Sequence, residues 1–215
     1  MDLTKFIKLR PFLYHLTDRR NIQNLLDNGG ILYSTTELVK KSSLSPPRKS
    51  KLIHERRPIH EEISVAGHNI FIRDQRPISI QNLIKCIPTT WTVGDYINHL
   101  NERVFFWPTI HRLTRHYNRY SHEKPIIIKV DTSILLNLNP HSEFCRLNSG
   151  ATRSSSHHNG GPPPRGGDTF LNAKDYSFNQ GSVAEVTFPK ICYLPEKILI
   201  GDTPNGQWET LSFSQ

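Results

Sequence analysis

Glu185 sits in the run Val183-Ala184-Glu185-Val186-Thr187-Phe188, which reads as a strand. Side chains alternate along a strand, so Ala184, Val186 and Phe188 share one face while Val183, Glu185 and Thr187 share the other. A carboxylate held on a rigid element can stabilise developing positive charge or take up a proton, although an isolated strand Glu is ordinarily a solvated charge. The segment before it favours chemistry: residues 147–181 are rich in Gly, Pro and Ser, and long irregular loops in compact proteins are functional or disordered. A second candidate, His15, lies at the end of the alternating run Phe12-Leu13-Tyr14-His15-Leu16, just before a helix N-terminus, a junction where histidines are more often structural than catalytic. Arg73 and Arg76 end an apolar cluster that begins at Ile70.

These residues need elements to hold them. After His15, Thr17 or Asp18 offers an N-cap, Ile22, Leu25 and Leu26 form a stripe at helical spacing, and Gly29-Gly30 stops the helix. Ile31 to Thr35 follows as a strand. Ile80, Leu83 and Ile84 make a short helix ended before Pro88, and Thr92 caps another whose Tyr96, Ile97 and Leu100 face inward. Val104-Phe105-Phe106-Trp107 is a β-prone run stopped by Pro108. Next comes an amphipathic helix with Ile110, Leu113, Tyr117 and Tyr120 on one face and Arg112, Arg115, His116 and Arg119 on another. That basic face suits a nucleic-acid backbone, and it also suits water. Ile126-Ile127-Ile128-Lys129-Val130 is the best core strand, and the runs at 198–200 and 211–213 complete six to eight strands with three or four helices. Without regular strand-helix alternation the expectation is α+β, not a doubly wound sheet.

A chain of 215 residues builds one core, so a single domain over 1–215 is expected. No apolar run is long enough to span a bilayer, and the charges in Met1-Asp2-Leu3-Thr4-Lys5-Phe6-Ile7-Lys8 argue against a secretory signal, so the expected location is cytoplasmic and no membrane partner is expected. Three widely spaced cysteines fit reduced thiols. The net charge of +8 favours anionic partners. Residues 40–60 carry a basic run around Pro46-Pro47 that reads as an exposed loop or insertion, either contacting phosphates or simply solvated. A P-loop, a dinucleotide-binding glycine fingerprint and a Gly-x-Ser-x-Gly elbow are all absent. His157-His158 and the His54, His60 pair lack recognised ligand spacing, so no metal is expected.

Taken in order, the motifs resemble a family. Tyr14-His15-Leu16-Thr17, then a helix, then Gly29-Gly30-Ile31-Leu32-Tyr33-Ser34, is similar to the opening of ADP-ribosyltransferases, nearest to the DarT-type enzymes and related uncharacterised families. The Ala184-Glu185-Val186 strand resembles the one that carries the superfamily's catalytic Glu. Val104 to Trp107 stands where the aromatic second motif does, and 70–76 where DarT-like enzymes carry a catalytic arginine. The motifs are short but cover most of the chain. Phe and Trp stand where many members have a tyrosine.

The resemblance implies a split β-sheet core with flanking helices and long loops, and NAD as co-substrate. Breaking the nicotinamide-ribose bond creates an oxocarbenium-like centre, which a carboxylate stabilises. Glu185 is then the catalytic carboxylate, Arg73 the first choice and Arg76 the second for the pyrophosphate, because a guanidinium fork makes bidentate contacts. His15 and Thr17 contact a ribose, and Phe105, Phe106 or Trp107 packs on nicotinamide. Arg112, Arg115 and Arg119, with Arg165, Thr169 and Tyr176 of the 147–181 loop, are expected on the acceptor side. The implied activity is mono-ADP-ribosylation of DNA or RNA by a toxin or phage-defence effector, with an antitoxin or immunity protein as partner. Protein or small-molecule acceptors, and a catalytically silent nucleic-acid-binding protein of the same fold, remain alternatives.

Overall fold

The computed structural model describes residues 1–152 and 163–213, so His157-His158 lies outside the described residues. The Asp2 side chain caps α1 (Leu3–Leu9), and β1 (Phe12–Thr17) follows. The Asp18 carboxylate accepts from the Arg20 amide and opens a three-ten turn that leads into α2 (Ile22–Asp27). Gly29 and Gly30 take positive φ to end it. At Gly30 a Cβ would also stand 2.7 Å from the Phe213 ring. Then come β2 (Ile31–Tyr33) and α3 (Thr35–Lys41), capped by Ser34.

The basic segment expected as an irregular loop contains a helix, α4 (Pro46–His54). Its paired prolines occupy the first turn, where amide hydrogens have no helical partner and a fixed φ is already helical. Leu52 is buried beneath it, and Arg57, read as part of an exposed positive run, is buried as well. The hairpin of β3 (Glu61–Val65) and β4 (His68–Ile72) turns through Ala66 and Gly67, both at positive φ. The chain continues through α5 (Ile80–Ile84), α6 (Val93–Asn101) with a Thr92–Asp95 capping box, β5 (Arg103–Phe106) and α7 (Ile110–Tyr120). Next are β6 (Ile126–Asp131), α8 (Thr132–Leu138), β7 (Glu143–Cys145) and β8 (Leu171–Asn172). Last come β9 (Glu185–Pro189), β10 (Ile191–Tyr193), β11 (Lys197–Gly201) and β12 (Glu209–Ser212).

The architecture is α+β, with antiparallel sheets. One four-stranded sheet has the order β1-β6-β11-β12 and a second the order β5-β9-β7-β8, with ribbons β2-β10 and β3-β4 beside them. The edge strands β1 and β5 meet at a bridge in which Tyr14 and Trp107 exchange backbone hydrogen bonds of 2.7 and 3.0 Å. More elements form among the described residues than the sequence led us to expect, because strands such as β7, β8 and β10 are only two or three residues long. Phe6, Phe106, Phe144, Phe188, Ile128 and Val130 share the main core, where truncating one of the phenylalanines to Ala costs about 3–5 kcal/mol. Among the described residues no helix is long and apolar enough to cross a membrane.

Candidate active site

Glu185 opens β9, the strand paired on both edges by β5 and β7, and Ala184, Glu185, Val186, Thr187 and Phe188 are all buried, so both faces of this stretch are covered. The carboxylate is 2 % exposed and lines a cavity of about 910 Å³ walled by parts of β1, β4, β5, α7 and β9. That volume is in the range of sites for sizeable small ligands. The Ser149 hydroxyl donates to Glu185 Oε2 at 2.7 Å, and the Ser149 amide lies 3.2 Å from each oxygen. Burial pushes the Glu185 pKa up to about 7, while the Ser149 hydrogen bonds and then the charges of Arg112 and Arg165 pull the other way.

His15 reaches the same cavity from β1. Its Nδ1 is 2.8 Å from the Phe105 carbonyl, and a carbonyl only accepts, so Nδ1 carries the proton. Burial lowers the pKa to about 4, the Phe105 bond opposes this, and Arg73 lowers it further. At neutral pH the ring is therefore uncharged, with Nε2 as an acceptor.

Arg73 follows β4 and lines the cavity. Its guanidinium donates to the Thr17 carbonyl at 3.1 Å, pairs with Glu123 at 3.4 Å and lies 4.6 Å from the centre of the Tyr120 ring. Its Nε is buried with no hydrogen-bond partner, and burial lowers its pKa. Arg76 does not line the cavity: it is exposed and pairs with Asp74 at 2.6 Å. Between the two arginines, the geometry places Arg73 at the site. The Tyr120 hydroxyl also donates to Asp74, and the His60 ring bridges the Asp74 amide and Glu123, tying β4 to the end of α7. Arg57 adds support from behind, donating to the Arg73 carbonyl at 3.1 Å and to Asn101 at 3.0 Å.

Thr17, Phe105 and Trp107 line the cavity as well. The Thr17 hydroxyl accepts from Asn21, whose side chain also holds both backbone groups of Phe71. Phe105 packs edge-on to Phe170, and Trp107 against His116. Burial lowers the His116 pKa to about 3, and the charges of Arg73 and Arg119 lower it further. The basic face of α7 turns toward the cavity, with Arg112, Arg115 and Arg119 on its wall. Among the described residues none of these three has a carboxylate within 4.0 Å, the distance that defines the ion pairs seen elsewhere.

The remaining residues expected on the acceptor side stand apart from the cavity. Arg165, Thr169 and Tyr176 are buried and lie outside the cavity lining. Arg165 binds backbone carbonyls, Thr169 Oγ1 accepts from the Gly166 amide to close a turn, and Tyr176 packs edge-on to Phe144 while bonding Ser182. Ser149, Asn21, Asp74 and Glu123 went unselected in the sequence, and His116 was read only as part of the basic helix face. Only the turn-forming triplet Asn148-Ser149-Gly150 carried a local signal, and it did not point to a carboxylate 36 residues away. Among the described residues no group of three His, Cys, Asp or Glu is placed to hold a metal ion.

Residues 11–194 match the model of a family described as a family of unknown function, DUF7002. The chain belongs to that family. The DUF7002 match runs from β1 through β10, so it includes His15, Arg73, Ser149 and Glu185 and stops short of β11 and β12. No curated protein and no solved structure matches the chain.

Proposed function

We propose that this DUF7002 protein is an NAD-dependent mono-ADP-ribosyltransferase with a nucleic-acid acceptor. One observation carries the reading: a carboxylate buried to 2 % exposure and titrating near neutrality shares a cavity with a neutral histidine and an arginine. Buried groups with perturbed pKa values in a cleft mark functional sites. The ionised Glu185 stabilises positive charge at the ribose carbon as the bond to nicotinamide breaks, and nicotinamide leaves with the electron pair. The acceptor's lone pair then forms the new bond at that carbon and its proton passes to Glu185. The charge of Arg73 at the cavity wall neutralises the pyrophosphate, and His15 Nε2 accepts from a ribose hydroxyl. Arg112, Arg115 and Arg119, which have no carboxylate partner among the described residues, supply phosphate contacts along the wall nearest the acceptor.

The reading is tested by incubating the protein with adenylate-labelled NAD and, separately, DNA, RNA or cell extract. Label is expected on nucleic acid; label on protein alone would replace the acceptor class, and absence of label everywhere would overturn the reading.

A further inference from the structure

We propose that Arg165 is a positioning residue of this site: its guanidinium fastens the turn at 148–151 so that Ser149 meets Glu185 in one fixed geometry. The inference rests on the ADP-ribosyl-transfer reading for its catalytic consequence, but not for its structural content. Arg165 is 4 % exposed, and among the described residues no carboxylate lies within 4.0 Å of it. A buried cation without a counter-ion is costly unless its donors are satisfied. Here they are satisfied by main-chain carbonyls: Nε donates to Ser149 at 3.1 Å, Nη2 to Asn148 at 3.4 Å and Ala151 at 3.1 Å, and Nη1 to Pro163 at 2.9 Å. The Arg165 amide donates in turn to the Cys86 carbonyl at 2.7 Å, which fixes the residue against the end of α5.

The target of these bonds is specific. The Asn148 carbonyl belongs to the same peptide unit as the Ser149 amide, so a cation on its oxygen polarises the N–H that faces Glu185. The Ser149 carbonyl is gripped from a second side by the Tyr96 hydroxyl at 3.2 Å. Both peptide units of Ser149 are therefore held, and its hydroxyl is left to face the carboxylate. A lysine presents no planar fork, and with three donors on a single atom it cannot reproduce the four carbonyl bonds that three separate nitrogens make here. The charged and titratable groups around Glu185 are Arg112 from α7, Arg165, the Cys145 thiol on β7 and the Tyr96 phenol on α6. Burial raises the thiol and the phenol well out of the physiological range, so both stay neutral. The two arginines and Ser149 are what favour the ionised carboxylate.

The full-length protein carrying carboxyl-13C glutamate gives the test, with the Glu185 resonance assigned by its loss in Glu185→Gln. Arg165→Lys and Tyr96→Phe are each expected to raise the Glu185 titration midpoint by about half a unit or more. The ascending limb of nicotinamide release should move to higher pH by the same amount, while the rate at high pH stays within about twofold of wild type. An unmoved midpoint in both folded variants overturns the positioning role. A raised midpoint in a protein whose wild type releases no nicotinamide keeps the positioning role and overturns the transferase reading.

Discussion

Ser149 gives both of its donors to Glu185, the hydroxyl at 2.7 Å from Oε2 and the amide at 3.2 Å from each oxygen. A carboxylate taken out of water needs such partners to ionise at all. Two donors and two nearby arginines still leave its pKa about 7, so near neutral pH Glu185 is balanced between its two protonation states. A general base or charge stabiliser is most useful in that range.

This balance has a consequence for stability. The folded pKa of Glu185 lies above its unfolded value of 4.5, so the folded state binds the extra proton between pH 4.5 and about 7. Its contribution is therefore most favourable below pH 4.5 and is lost as pH rises through 7. Glu185→Gln is expected to stabilise the protein at pH 8 by up to about 3 kcal/mol, with little effect near pH 4.5. Denaturant unfolding at the two pH values checks this; a variant equally or less stable than wild type at pH 8 contradicts it.

Three half-buried histidines act in the opposite direction. Burial lowers the pKa of His15 to about 4, of His99 to about 4 and of His116 to about 3, each from 6.5. The unfolded chain binds these protons first, so stability should fall as pH drops from 6.5 toward 4, and for His116 further still. The slope of unfolding free energy against pH in this window should approach three protons for this group, partly masked by Glu185. Substituting His116 with a neutral isostere such as Gln should reduce the slope by about one proton.

Arg73 and Arg76 separate cleanly. Arg73→Ala is expected to weaken NAD binding about tenfold or more, the scale of charge-assisted hydrogen bonds to phosphate, whereas Arg76→Ala stays within about threefold. Isothermal titration with NAD reads both, and the reverse ranking would move the pyrophosphate site to the exposed side of Asp74.

Charge reversal at Arg115 and Arg119 should weaken nucleic-acid association and reduce its salt slope by about two or more, with a smaller loss of NAD affinity than Arg73→Ala causes. Fluorescence anisotropy across a salt series measures it. Unchanged affinity would direct attention to α4 and its neighbours, where Arg48 is engaged with Glu61 but Lys51 remains exposed.

Local signals in the sequence carried much of this structure. Thr92 announces α6, Gly29-Gly30 ends α2, and the β-branched run at 126–130 becomes the central strand β6. The misreadings came where tertiary packing overrides composition. Pro46-Pro47 looks like a loop until it is placed at the first turn of a helix, and Arg165 looks like a surface cation until its four carbonyl partners gather around it. Glu185 was found from its strand pattern, yet its burial was not legible, because whether β9 lies at an edge or between β5 and β7 is decided by pairing with distant strands. Ser149 was missed for the same reason.

Nicotinamide release from NAD by the wild type and by Glu185→Gln, each shown to be folded, tests the central claim most directly. The expected result is release by the wild type with an ascending limb near pH 7, and a loss of at least about a hundredfold in the variant. Equal turnover by the two proteins, or none by the wild type with nucleic acid present, would contradict the account.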